Sequence, residues 1–123
     1  MFALRVRSYY SLGLGVASPE KLCRRARELG YRGLAMTDRD NLYGLWSFLK
    51  SCREHELQPI VGAEISEPAS DRLITCLVRG EAGYGNLCQL ITARHTRDTF
   101  ELEADVPPLA GGLVILATDA KLL

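Results

Sequence analysis

Histidine is scarce in this chain, which contains only two among its 123 residues, His55 and His95. Imidazoles are common ligands of zinc and other transition metals, and sites of this kind usually need several of them. Each histidine lies near the end of a predicted helix, where the helix dipole stabilises cations, so we expect structural roles. The scarcity argues against a histidine-rich metal site and against a Ser/His/Asp or Cys/His catalytic arrangement.

Closely spaced cysteines are also missing. Cys23, Cys52, Cys76 and Cys88 lie far apart, and no two of them have the Cys-x-x-Cys spacing of structural zinc sites. We predict four free thiols, buried or half-buried, in a reducing compartment.

Net charge and long apolar runs are absent as well. The 15 basic residues balance the 15 acidic residues, so no global field attracts a polyanion, and direct nucleic-acid binding is expected to be weak or absent. No apolar run approaches the ~20 residues of a membrane span, and the first residues lack the apolar core of a signal peptide. These features predict a cytoplasmic protein without a membrane segment.

The length of 123 residues suits one domain, and we expect residues 1–123 to form a single unit. A complete (β/α) barrel usually needs ~200 residues or more. The chain is therefore a partial barrel, a fragment of a longer chain, or a compact derivative of a barrel.

Short apolar runs alternate with helical patterns, which predicts an α/β fold. The predicted strands cover residues 2–6, 33–37, 60–65, 73–78 and 113–117. The predicted helices run from a Ser18 cap to Gly30, from Asp40 or Asn41 to about residue 56, and over residues 83–94. This order predicts right-handed crossovers, mainly parallel strands and helices outside the sheet. Residues 96–110, with two adjacent prolines, predict an irregular loop.

Helical and strand spacing also predicts the core between the sheet and its helices. The residues expected there are Leu22, Leu29, Leu34, Leu45, Trp46, Leu49, Ile60, Leu87 and Leu90.

Arginines and carboxylates follow the predicted strands. Arg5 and Arg7 are two residues apart on one strand and point to the same side, while Arg39 and Glu64 follow the next two strands. Because the carboxyl ends of parallel strands meet at one rim, these residues should converge there with Asp38 and Asp40. Ion pairing between the arginines and these carboxylates is favoured. Bidentate phosphate binding and solvent-facing arginines remain alternatives.

Six short runs carry a resemblance to a known family. They are Ser8-Tyr9-Tyr10-Ser11-Leu12, Ser18-Pro19-Glu20-Lys21-Leu22, Arg27-Glu28-Leu29-Gly30-Tyr31, Met36-Thr37-Asp38, Asn41-Leu42-Tyr43-Gly44 and Gly83-Tyr84-Gly85-Asn86-Leu87-Cys88. Together they resemble the PHP (polymerase and histidinol phosphatase) domain, and more narrowly the PHP domain that opens bacterial DNA polymerase III alpha subunits. The resemblance runs from about residue 2 to about residue 118. It implies a partial (β/α) barrel of PHP type, about half the usual length.

The chain departs from this family at the positions of its metal ligands. The family's opening His-x-His is Arg5-Val6-Arg7 here, the His of its Thr-Asp-His is Arg39, and a further acidic or histidine ligand falls near Leu14. Glu64 alone among these early positions keeps a residue able to bind a metal. Guanidinium groups stay protonated and offer no lone pair to a metal. We therefore expect no resident metal, no other cofactor and no catalytic residue in this domain.

Two functions follow as alternatives. The first is a degenerate, metal-free, non-catalytic module with a structural or docking role in DNA replication or repair. Its partners would be the remainder of a DNA polymerase III alpha chain or replication proteins, and the polymerase activity of such chains lies in other domains. The second is a phosphoesterase or phosphate-binding domain that depends on metals or arginines. In either case an incomplete barrel leaves sheet edges open, which predicts self-association.

Overall fold

The computed structural model describes residues 2–11 and 17–117. In chain order they form β1 (Phe2–Val6), α1 (Pro19–Glu28), β2 (Gly33–Arg39), α2 (Leu45–Glu54), β3 (Gln58–Ser66), β4 (Leu73–Val78), α3 (Gly80–Thr96), the short α4 (Leu102–Asp105), a 3₁₀ turn (Pro107–Leu109) and β5 (Leu113–Ala117). The predicted α/β class is confirmed. None of the helices in these ranges combines the length and the apolar character that a membrane crossing requires.

The five strands form one sheet in the order β1-β2-β3-β4-β5. β1, β2 and β3 pair in parallel. After each of the first two strands a helix, α1 or α2, brings the chain back to the end of the sheet at which that strand began. β4 and β5 run antiparallel to their neighbours, so the expectation of mainly parallel strands holds only for the first half of the sheet. The turn at residues 67–72 is too short for a crossover and closes a hairpin between β3 and β4 instead.

The described helices pack on one face of the sheet, in two clusters. The first cluster joins α1 and α2 to β2 and consists of Cys23, Ala26, Leu34, Met36, Phe48, Cys52 and Leu57. The second joins α3 and the α4 region to β3 and β4 and consists of Ala63, Ile65, Ile74, Cys76, Leu87, Leu90, Phe100, Leu102 and Val106. We call the opposite face, which carries Thr37, Arg39, Gly62, Glu64 and Thr75, the inner face.

The expected core is right for Leu34 of the sheet and for α3, but Ile60 of the sheet is only half-buried, and the prediction for α1 and α2 is partly wrong. Leu34, Leu87 and Leu90 are buried, whereas Leu29 is 58% exposed and Trp46 is 85% exposed. The helices turn other residues inward. The buried residues of α1 are Pro19, Cys23 and Ala26, and those of α2 are Phe48, Ser51 and Cys52. Cysteine and alanine are small, so the two helices approach closely, with 3.7 Å between the Sγ atoms of Cys23 and Cys52.

The predicted helix cap and cysteine burial agree better with the structure than the predicted core does. The Ser18 hydroxyl accepts a hydrogen bond from the Lys21 amide at 3.2 Å and caps α1, as predicted. All four cysteines are free, three of them buried and Cys88 half-buried, which confirms the predicted burial of free thiols. The irregular loop expected at residues 96–110 is wrong, because the buried side chains of Phe100, Leu102 and Val106 anchor a short helix there.

We expect Leu90→Ala to lower the free energy of unfolding by ~2–5 kcal/mol, because it leaves a cavity in the cluster beneath α3. Chemical denaturation monitored by circular dichroism measures the loss. Leu29→Ala, the same truncation at an exposed position, should change it by less than ~0.5 kcal/mol. Equal losses for the two variants would contradict the helix orientations described above.

Candidate functional site

Arg5, Arg7, Arg39 and Glu64 meet at the carboxyl ends of the three parallel strands. Arg39 lies directly opposite Glu64 in the register between β2 and β3. In β1 the register shifts between Ala3 and Val6, and both of these side chains pack toward the helices. This irregularity acts as a bulge does and leaves Arg5 and Arg7 able to reach Glu64.

The Glu64 carboxylate is bound by two arginines and flanked by a third. Arg7 forms a bidentate pair, with Nε donating to Oε1 at 2.7 Å and Nη2 donating to Oε2 at 2.7 Å. Arg5 Nη2 donates to Oε2 at 3.1 Å. Arg39 Nε lies 3.7 Å from Oε1, too far for a hydrogen bond but close enough for charge attraction. We call these three residues and Glu64 the arginine cluster.

Burial and charge are distributed unevenly in the arginine cluster. The Glu64 side chain is 1% exposed, whereas those of Arg5, Arg7 and Arg39 are 45%, 30% and 33% exposed. Burial alone would raise the pKa of Glu64, but the hydrogen bonds from Arg7 and Arg5 and the charges of Arg7 and Arg39 outweigh it and lower the pKa. The hydrogen bond to Glu64 likewise raises the pKa of Arg7. The charge of Asp38 also raises the pKa of Arg7, so the three arginines face more than one carboxylate.

Asp38 is held by serines rather than by the arginine cluster. Its Oδ1 accepts from the Ser8 amide and the Ser11 hydroxyl, and its Oδ2 accepts from the Ser8 hydroxyl, each at 2.7 Å. The Ser11 hydroxyl also accepts from the Arg39 amide at 2.9 Å. The arginine partner that the sequence suggested for Asp38 is thus replaced by a network that ties residues 8–11 to the end of β2.

Asp40 has a similar arrangement with Ser66. The Ser66 amide donates to Asp40 Oδ1 at 2.8 Å, and the Ser66 hydroxyl donates to Oδ2. Arg94 Nε lies 3.8 Å from Oδ2 and donates to the Ser66 carbonyl at 2.7 Å. The His95 ring nitrogen Nε2 lies 2.6 Å from the Asp40 carbonyl oxygen. These contacts hold Asp40 in the left-handed backbone region, with φ of 55°.

Sequence reasoning missed several residues that organise this rim. Asn41 Nδ2 donates to the carbonyls of Tyr10 and Arg39, at 3.1 and 2.9 Å, and so joins the ends of β1 and β2. Ser8, Ser11 and Asn41 stand in the short runs that carry the family resemblance, which was the available signal. Ser66 and His95 gave no signal, because only the tertiary structure brings them to Asp40. Leu14 lies outside the described residues.

The donor set does not fit the metal centre that the family resemblance implies. Both Glu64 oxygens accept hydrogen bonds from arginines, and guanidinium groups have no lone pair for a metal. Within residues 2–11 and 17–117, no group of three or more His, Cys, Asp or Glu side chains is close enough to hold a metal ion. The described part of the rim therefore carries arginines at positions where a metal centre needs lone-pair donors.

We expect Glu64→Gln to destabilise the fold, because it leaves three guanidinium groups around a neutral side chain. The loss should approach the ~3–5 kcal/mol of a broken buried pair but stay below it, since the arginines are partly exposed. Denaturation at pH 7 measures it. Glu28→Gln, which breaks the exposed Arg25–Glu28 pair, is the matched control and should cost less than ~1 kcal/mol.

Wild type and Glu64→Gln also provide a test of pH dependence. Glu64 has a lower pKa in the folded state than the 4.5 of the free side chain, so its stabilising contribution is present above 4.5 and is lost as the pH falls through the folded value. The stability difference between wild type and Glu64→Gln should therefore narrow at low pH. A difference that stays constant down to the acid transition would rule out an ionised Glu64 as the source of stabilisation.

Comparison with known proteins shows the family of this chain. A family model described as PHP domain matches residues 3–110. The error-prone DNA polymerase of Pseudomonas aeruginosa is 40% identical over 117 residues, which cover 91% of this chain and 11% of that polymerase. The DNA polymerase III subunit alpha of Streptococcus pyogenes is 33% identical over 97 residues, which cover 76% of this chain and 9% of that subunit. The chain thus spans about a tenth of the length of these curated relatives.

A solved structure supports the fold. A protein of Bifidobacterium adolescentis assigned as a metal-dependent phosphoesterase superposes with a TM-score of 0.60 at 19% identity, covering 74% of this chain and 32% of that chain. The mixed five-stranded sheet and its helices form half of an α/β barrel. The resemblance inferred from the short sequence runs is confirmed, and the chain belongs to the PHP domain family.

Proposed function

We propose that this chain is a degenerate, metal-free PHP domain that acts as a non-catalytic structural or docking module in DNA replication or repair. The observation that carries the proposal is the occupation of both Glu64 oxygens by Arg7 and Arg5, which stand where the family has histidine ligands. The positive charge that metal ions would bring is supplied by guanidinium groups instead. A divalent cation approaching Glu64 would meet Arg5, Arg7 and Arg39 at close range.

The relatives support a role of the domain in the replication or repair machinery. They are DNA polymerases about ten times longer than this chain, and we propose that polymerisation belongs to the portion that this chain does not cover. We propose that residues 1–123 form one domain of the cytoplasmic replication or repair machinery and that its partner is the polymerase portion of a DNA polymerase III alpha chain. The balanced net charge makes the domain a poor candidate for holding DNA through its overall field.

A groove on the helix-covered face supports the docking role. It has a volume of about 530 Å³ and is lined by Leu45, Trp46, Leu49, Val61, Val78, Gly80, Glu81 and Tyr84. Trp46 is almost fully exposed, although α2 has buried positions for large side chains. Exposed tryptophan and tyrosine in an apolar groove are typical of residues that contribute most of the energy of an interface. We propose that the polymerase portion occupies this groove.

Metal analysis tests the non-catalytic assignment. The protein, purified without chelators, should contain far less than one zinc, manganese or iron per chain, and added Mn²⁺ or Zn²⁺ should leave its melting temperature and its negligible phosphoesterase activity unchanged. A PHP protein that keeps its histidine ligands, purified in parallel, controls for metal loss. One tightly held transition metal per chain, or metal-dependent hydrolysis of a phosphoester, would refute the assignment.

Binding to a DNA polymerase III alpha chain without its PHP domain tests the docking assignment. Trp46→Ala should weaken binding by ~30-fold or more, the effect of losing a residue worth ~2 kcal/mol. Tyr43→Ala, at another exposed aromatic residue outside the groove lining, should have little effect. Neither substitution should change the melting temperature. Equal effects of the two variants would show that the groove is not the docking site.

Isolated wild-type and Trp46→Ala chains test self-association. The strands β1 and β5 form the edges of the sheet and carry the exposed residues Phe2, Leu4, Val114 and Leu116. We propose that isolated chains associate through these edges, so sedimentation should show dimers or larger species that Trp46→Ala leaves intact. Loss of these species in Trp46→Ala would instead assign the groove to a second copy of the chain.

A further inference from the structure

We propose that the groove beside Trp46 binds an amphipathic α-helix of a partner protein, with the apolar stripe of that helix against the groove and a lysine or arginine beside Glu81. This inference rests on the proposed docking function and adds the kind of structure that the groove recognises. The topology of the sheet, the pairing of the strands beneath the groove and the single charge of its lining support it.

The groove is a gap in the layer of helices that covers the sheet. α2 belongs to the first hydrophobic cluster and α3 to the second, and the groove opens between them. The hairpin between β3 and β4 contributes no crossover helix at this place, so Val61 and Val78, which line the bottom of the groove, stay half-buried. Elsewhere this face of the sheet is covered by helices, and one more helix would complete the layer.

Strand pairing beneath the groove favours a helix over an extended peptide. β3 lies between β2 and β4, and β4 lies between β3 and β5, so both strands at the bottom of the groove are paired on each side. An extended segment would find no strand edge to pair with, and its amide and carbonyl groups would lose water against apolar side chains. A helix satisfies these backbone groups internally and presents only its side chains.

The lining of the groove is mostly apolar and carries one charge. Trp46 and Tyr84 are 85% and 42% exposed and offer large aromatic surfaces. Glu81, in the first turn of α3, is exposed and has no ion-pair partner among residues 2–11 and 17–117. A stripe of large apolar side chains matches this lining, and a lysine or arginine at its border would pair with Glu81. A small-molecule site usually brings several polar groups together, unlike this groove.

Fluorescence of the full chain tests the proposal, because Trp46 is the only tryptophan in the sequence. The probe is a synthetic peptide with leucines at i, i+3, i+4 and i+7 and one lysine beside that stripe. It should shift the Trp46 emission to shorter wavelength, bind in titration calorimetry and compete with a DNA polymerase III alpha chain that lacks its PHP domain. A peptide of the same composition whose leucines alternate, as in a strand, is the control and should do none of these.

Charge reversal at Glu81 tests the basic contact. Glu81→Lys should weaken binding of the lysine peptide by ~5-fold, the worth of an exposed ion pair, and should strengthen binding of a peptide with glutamate at that position. Glu20→Lys makes the same change in the first turn of α1, outside the groove lining, and should affect neither peptide. Unchanged affinities of Glu81→Lys for both peptides would refute the pairing with Glu81 and with it the proposal.

The outcomes separate the helix from the proposed partner. If the helical peptide binds and shifts the Trp46 emission but the polymerase chain does not bind, the groove recognises a helix and the partner proposed above is wrong. If the polymerase chain binds through Trp46 but the alternating peptide competes as well as the helical one, or neither peptide competes, the docking role stands and the helix is wrong. A Trp46 shift that depends on protein concentration alone would assign the groove to a second copy and also overturn the helix.

Discussion

The buried carboxylate of Glu64 is the group on which the rim of this domain depends. It is almost fully removed from water, and a charge in that position is tolerated only when it is paired and hydrogen-bonded. Arg7 and Arg5 reach it from β1, and Arg39 flanks it from β2, so one side chain of β3 ties together the three parallel strands. Loss of this carboxylate would leave cations from two strands facing each other.

Around this centre, serine hydroxyls and backbone amides satisfy the remaining carboxylates. Ser8 and Ser11 bind Asp38 at the end of β2, and Ser66 binds Asp40. These neutral donors do not cancel the charge of the aspartates, and the charge of Asp38 still acts on Arg7. Glu64 is the carboxylate that the arginines bind directly.

The two faces of the sheet carry different kinds of side chains. The helix-covered face buries the two hydrophobic clusters and also presents the groove beside Trp46, for which a docking role is proposed above. The inner face carries the arginine cluster at the ends of β1, β2 and β3.

The sequence by itself determined the family, the α/β class, the Ser18 cap and the convergence of the four residues of the arginine cluster. These features depend on short-range patterns and on residues at strand ends. Tertiary structure alone decided the antiparallel β4 and β5, the exposure of Trp46 and the partners of Asp38. Periodicity shows that a helix has an apolar stripe, but the small Cys23 and Cys52 determine how closely α1 and α2 pack. Which donor reaches a carboxylate depends on distances between strands that no local pattern contains.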